Sequence, residues 1–220
     1  MPHPALLARL LIPALLLTPP ILSCARNPVT GKSEIALVSE AQEIQMGKEA
    51  SQQTIQSIGL VNDPSLQAYV SAIGMKMAAA SERPNLPWEF HVVDDASVNA
   101  FALPGGFIFV TRGLLTYINN EAELATVVGH EIGHVTNRHS VQQISNSQLA
   151  TLGLGLGSVL ASDVARYAGL ASQGLQVLFL KYSRDAESQA DLAGFRYALG
   201  QNSDVREMAS VFHTLDRVGA

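Results

Sequence analysis

At 220 residues, with 47% hydrophobic and 15% charged side chains, the chain has the composition of one globular domain with a sizeable core and not of a disordered polypeptide. Its net charge of −5 and the absence of any basic block argue against nucleic acid as a partner. A single cysteine excludes an internal disulfide framework.

Residues 1–23 read as a targeting segment. Arg9 is the only Lys or Arg there, and the run LLIPALLL at 10–17 is a short apolar stretch of signal-peptide length. Pro13, Pro19 and Pro20, and the shortness of the run, argue against a membrane span. The segment ends in Ile21, Leu22, Ser23 and Cys24, which resembles the lipobox of bacterial lipoproteins. That resemblance implies cleavage before Cys24 and lipid on it, and Ala25 after it favours the outer membrane over retention in the inner one. Stable attachment then needs several acyl chains.

Residues 24–38 contain Asn27, Pro28 and Gly31 and read as an extended tether with a turn. Ser39 is placed to cap a helix from Glu40 to about Ile58, where Gly59 stops it; Glu40 and Glu43 suit the positive end of its dipole. Asp63 and Pro64 open a second helix whose apolar stripe, Leu66, Tyr69, Val70, Ile73 and Met77, reads as core packing. Two prolines at 83–87 break the chain before a β-rich stretch at 88–93, in which His91 is expected to be structural. The runs at 100–103 and 107–111 flank Pro104, Gly105 and Gly106, a hairpin signal. Proline confines the first run to an edge or a strand end, and an exposed edge can hold an extended peptide through main-chain hydrogen bonds.

Residues 128–137, VGHEIGHVTN, contain HExxH. On a helix His130 and His134 stand one turn apart and face the same way, as two imidazoles on one metal ion must. Glu131 lies about 100° round the helix, where it misses the metal and can reach water instead. The helix is supported by apolar Leu124, Val127, Val128, Ile132 and Val135. Gly129 and Gly133 each cost a helix up to about 1 kcal/mol relative to alanine, a cost that close packing would offset.

Residues 138–147 are polar. In the HExxHxxGxxH metalloproteases the glycine would fall at Asn137 and the third histidine at Ser140, so His139 is out of phase and that group is disfavoured. The Gly/Leu alternation from 150, with apolar residues to 161, reads as a flexible lid or a packed helix in preference to a membrane-dipping hairpin; residues 163–180 read as a buried helix. At 182–199 a further helix puts Glu187 and Asp191 on one face. Small Ala190, Ala193 and Gly194 would let it approach the HExxH helix. A glutamate at 187 can then supply a third metal ligand, and Asp191 can accept the free N–H of a ligating histidine and fix its tautomer.

Taken together, NAFALPGG (99–106), VTRGLL (110–115), the HExxH core with its flanks (121–139) and SRDAESQAD (183–191) resemble the bacterial lipoprotein members of the CAAX-prenyl-protease-related family of HExxH zinc metallopeptidases. The resemblance implies one Zn²⁺ per chain on His130, His134 and Glu187, with Glu131 as general base. It also implies that the strand formed by Asn99, Ala100, Phe101, Ala102 and Leu103 lines the substrate cleft, and that relatives act in envelope quality control or outer-membrane assembly. Some relatives continue into helical repeats; none is visible to Ala220, which fits a compact member or a truncated chain. Tyr197, Arg206 and His213 are the candidates for an oxyanion partner, and none is assigned.

The expected architecture is an α+β zincin-like metallopeptidase domain at 39–220, mainly helical, with a small antiparallel sheet beside the active-site helix, behind a 1–23 signal peptide and a 24–38 tether. The expected function is that of an envelope metalloendopeptidase, anchored through Cys24 to the outer membrane and facing the periplasm. Its substrates are unfolded or misassembled envelope proteins, and the outer-membrane assembly machinery is a further partner. The competing reading is a chaperone or assembly factor that uses the same cleft with little turnover.

Overall fold

A computed structural model describes residues 24–151, 182–201 and 203–218. The readings of residues 1–23, of the Gly/Leu segment beyond 151 and of a helix at 163–180 fall outside the described residues.

The extended segment with a turn expected at 24–38 is a two-stranded antiparallel hairpin, β1 (Cys24–Arg26) and β2 (Ser33–Ile35). Asn27 organises its turn: the side-chain oxygen accepts from the amides of Val29 and Thr30. The same side chain donates to the carbonyl of Asn137, 3.0 Å away, which fastens the hairpin to the main body. Ala36 and Val38 bury themselves against Val141.

Helix α1 (Glu40–Ile58) starts in a capping box formed by Ser39 and Gln42. Glu43, expected to serve the helix dipole, is instead 1% exposed and paired with Arg83. Helix α2 (Pro64–Ala79) is capped by Asp63, whose carboxylate accepts from the amides of Ser65 and Leu66. Val70 and Met77 of its stripe are fully buried, Leu66 and Ile73 are partly so, and Tyr69 turns out to solvent, where its hydroxyl reaches Glu121.

Three strands follow: β3 (Glu89–Val93), β4 (Ala100–Leu103) and β5 (Phe107–Thr111). The β4–β5 hairpin forms where Pro104, Gly105 and Gly106 predict it, with both glycines at positive φ. The sheet is mixed rather than purely antiparallel. β5 lies in the middle, parallel to β3 and antiparallel to β4, because the tight turn reverses β4 and returns the chain in the direction of β3. Burial follows from that order: every residue of β5 is buried, while β4 keeps an edge.

After the short α3 (Arg112–Leu115), α4 (Glu121–Thr136) carries HExxH through the middle of the molecule, packed on α2, β4 and β5. It is buried on nearly every side, as a central helix must be when it is apolar around most of its circumference. The polar stretch after it is helical: α5 (His139–Thr151) follows Asn137 and Arg138, and Arg138 has φ 58°. Helix α6 (Arg184–Gly200), capped by Ser183, and α7 (Glu207–Val218) close over α4. No helix among the described residues is long and apolar enough to cross a membrane.

Candidate metal centre

Two helices build the centre, and small residues set their separation. A Cβ on Gly133 would come within 2.7 Å of the Ala190 carbonyl oxygen, and one on Gly194 within 2.7 Å of the His130 amide nitrogen. Side chains larger than hydrogen are thus excluded where α4 crosses α6, which is the packing that offsets the helix penalty of glycine.

That approach brings together His130 and His134 of α4 and Glu187 of α6, whose nearest ligand atoms all lie within 4.8 Å of one another. The two Nε2 atoms are 3.0 Å apart, and Glu187 Oε2 lies 3.4 Å from His130 Nε2 and 3.8 Å from His134 Nε2. Ligands about 2.0–2.1 Å from a tetrahedral Zn²⁺ stand roughly 3.3 Å apart, so the three atoms have the spacing of one face of such a site. Two imidazoles and a carboxylate are also the donor set that Zn²⁺ accepts. Glu187 sits in the first turn of α6, where the helix dipole favours its negative charge.

The other ring nitrogens are engaged behind this face. His130 Nδ1 is 2.8 Å from Asp191 Oδ1, one turn along α6 from Glu187. His134 Nδ1 is 2.9 Å from His139 Nδ1. The ring of Tyr182 stacks on His134 with centroids 4.2 Å apart, and its hydroxyl bonds Ser140. Burial opposes a charge on His130, but its hydrogen bonds to Asp191 and Glu187 hold its proton affinity well above the ordinary histidine range. His134 is pushed the other way by burial and by repulsion from His130 and His139.

Glu131 points to the other side of the cleft, toward β4. Burial, with repulsion from Glu187 added, raises its carboxyl to about 7, against the opposing pull of His130 and of the Ala102 amide, which donates to it. The ladder explains why that amide is free. Thr111 N donates to Asn99 O, so alternate residues of β4, Phe101 and Leu103, exchange main-chain bonds with β5. The N–H and C=O of Ala100 and Ala102 are left along the outer edge, beside α4. Of the five edge residues singled out from sequence, two therefore present their main chain outward. Phe101 stacks on Phe109, and Leu103 is fully buried.

The oxyanion candidates are engaged elsewhere. Tyr197 is buried against Thr136 and Glu82, Arg206 pairs with Asp204, and His213 is exposed on α7. His91 bonds Glu89 of its own strand. Sequence reasoning set His139 aside and passed over Tyr182 and Gln189, all of which stand against His134 or one another. No sequence signal marks His139, because the turn that brings it under the helix is made by Arg138 at φ 58°.

A sequence model of Peptidase family M48 matches residues 64–217. The beta-barrel assembly-enhancing protease of Escherichia coli (strain K12) is 30% identical over 197 residues, covering 86% of this chain and 40% of that protein. The protein of the same name from Yersinia pestis is 31% identical over 224 residues, covering 93% of this chain and 46% of its own length. The mitochondrial metalloendopeptidase OMA1 of Saccharomyces cerevisiae (strain ATCC 204508 / S288c) is 32% identical over 186 residues, 77% of this chain and 52% of that protein. The chain spans about half or less of the length of these relatives.

Proposed function

The chain belongs to peptidase family M48, and on that premise we propose that it is a zinc metalloendopeptidase hydrolysing peptide bonds of unfolded or misassembled cell-envelope proteins. The observation that carries this reading is the convergence of His130, His134 and Glu187 within 4.8 Å, with the Glu131 carboxyl between them and the β4 edge, which no strand among the described residues covers. In this reading the three residues hold one Zn²⁺, which when bound supplies a Lewis acid that polarises a carbonyl and acidifies water. Glu131 takes the proton of the attacking water and passes it to the leaving amine. Asp191 orients His130 through Nδ1. A peptide strand adds to β4, pairing with the main chain of Ala100 and the carbonyl of Ala102, while Asn99, Phe101 and Leu103 hold that edge to the sheet.

The setting belongs to the same proposal. Residues 1–23 act as a signal peptide and Cys24 carries the lipid, which anchors the enzyme to the outer membrane on its periplasmic side. The name of the bacterial relatives, beta-barrel assembly-enhancing protease, supports misassembled barrel proteins as substrates and their assembly machinery as a partner.

Glu131→Gln tests the catalytic role. The variant is expected to keep zinc, measured by elemental analysis, and to lose cleavage of a denatured β-barrel protein by about 10² to 10⁴ in rate. Unchanged cleavage would overturn the assignment. The β4 edge, which no strand among the described residues covers, also suits a chaperone that holds strands without turnover. Full rescue of envelope stress by Glu131→Gln would favour that second reading.

A further inference from the structure

His139 follows HExxH out of phase with the HExxHxxGxxH pattern, yet it is 3% exposed and lies directly behind a histidine of the cluster. Its position depends on one backbone conformation. After the α4 cap at Asn137, Arg138 takes φ 58°, which a bulky L-residue adopts only against steric resistance. The Arg138 guanidinium is fastened by Glu43 Oε2 and by the Val38 carbonyl, which hold the residue in that conformation. The chain therefore turns back at once, and α5 opens with His139 beneath His134.

The hydrogens along this contact can be counted. Two Nδ1 atoms 2.9 Å apart share one hydrogen, supplied by one ring or the other. His139 Nε2 lies 3.3 Å from Gln189 Oε1, and an amide oxygen only accepts, so the His139 hydrogen is on Nε2. With one hydrogen on the Nδ1 contact and His134 Nε2 turned to the cluster, His139 carries a single hydrogen, the one on Nε2. Its Nδ1 then has a lone pair and no hydrogen. The shared hydrogen consequently belongs to His134 Nδ1, and His134 Nε2, the atom facing His130 and Glu187, is left bare.

We propose that His139, oriented by Gln189, is a positioning residue that fixes His134 as its Nδ1–H tautomer and so directs the Nε2 lone pair at the metal position. The inference rests on the metal-site reading above. The two supports also differ in kind: His130 leans on the carboxylate of Asp191, His134 on a neutral imidazole. His134 thus contributes no buried countercharge, although it is the more deeply buried of the two.

The decisive measurements are zinc affinity by chelator competition and imidazole tautomers by long-range ¹H–¹⁵N correlation, both on the full chain. His139→Phe keeps the ring against Tyr182 and His134 but removes the acceptor. It is expected to weaken zinc binding by about 10- to 100-fold. His139→Asn returns an acceptor oxygen near the Nδ1 position and is expected to restore affinity to within a few-fold of wild type. In the zinc-loaded wild type, His139 is expected to be the neutral Nε2–H tautomer. A flip of the Gln189 amide would reverse every hydrogen in the chain, so an Nδ1–H tautomer at His139 overturns the proposal whether or not the Phe variant folds. Wild-type zinc affinity in His139→Phe also overturns it and leaves the metal site standing, provided that His134→Ala loses zinc. If His134→Ala binds zinc as wild type does, the metal-site reading fails first.

Discussion

Three histidines with different protonation demands share one small volume. His130 is the ring whose proton affinity is raised, by Asp191 and Glu187 acting against burial, whereas those of His134 and His139 are lowered. The sign of the pH dependence follows. A proton affinity raised above neutrality means that His130 is protonated at pH 7, so entering zinc must displace that proton, and lower pH strengthens the competitor. Zinc affinity is expected to rise with pH through the neutral range, by about tenfold per pH unit for one displaced proton. Calorimetric titration in two buffers of different ionisation enthalpy reads the released proton directly; affinity that is flat from pH 6.5 to 8.5 would contradict the assignment. At this scale the sequence was informative wherever helical spacing decides the outcome. Spacing alone puts His130 and His134 on one face of α4, and Glu187 and Asp191 on one face of α6. His139 escaped because its position is set by the φ of Arg138, and nothing in residue spacing encodes that angle.

Between elements, the determining contact is the crossing of α4 and α6. Both His130 and His134 ride on one helix and Glu187 and Asp191 on the other, so ligand geometry depends on an interhelical distance that Gly129, Gly133 and Gly194 keep short. Gly194→Ala would bring a methyl group within 2.7 Å of the His130 amide nitrogen. Overpacking of this kind costs about 1–3 kcal/mol. The variant is expected to unfold at lower urea than wild type in the metal-free state and, because α6 is displaced, to bind zinc more weakly. Unchanged values for both would mean that the crossing can open freely. This contact was legible from composition, since small residues recur on both helices at matching spacing. The β4–β5 hairpin was equally readable from Pro104, Gly105 and Gly106. The parallel β3–β5 pairing was not, because residues 88–93 carry no mark of which strand they will join.

For the molecule as a whole, Glu43 is the point where distant pieces meet. Its carboxylate accepts from Arg83, the Gly105 amide and Arg138 across sequence separations of 40, 62 and 95 residues, and Arg83 also donates to the Val135 carbonyl near the end of α4. These contacts link α1, the tip of the edge hairpin and the turn that delivers His139. Glu43→Ala leaves two arginines without their buried partner and is expected to cost about 3–5 kcal/mol in urea unfolding. Glu40, an exposed partner of the same Arg83, is expected to contribute at most about 1 kcal/mol. Equal effects of the two substitutions would argue against the hub. No local pattern reveals such a residue; in sequence Glu43 looks like any acid in the first turn of a helix. The docking of the N-terminal hairpin on the main body was hidden for the same reason, since Asn27 reaches Asn137 across 110 residues. That hairpin has a mechanical consequence. Residue 24 is already paired with Ile35, and Asn27 grips the cap of the HExxH helix, so little slack separates the proposed lipid attachment point from the catalytic helix. A bilayer holding Cys24 would set the height and tilt of the cleft above its surface as a bracket does, and substrates would have to come down to the membrane to be cut.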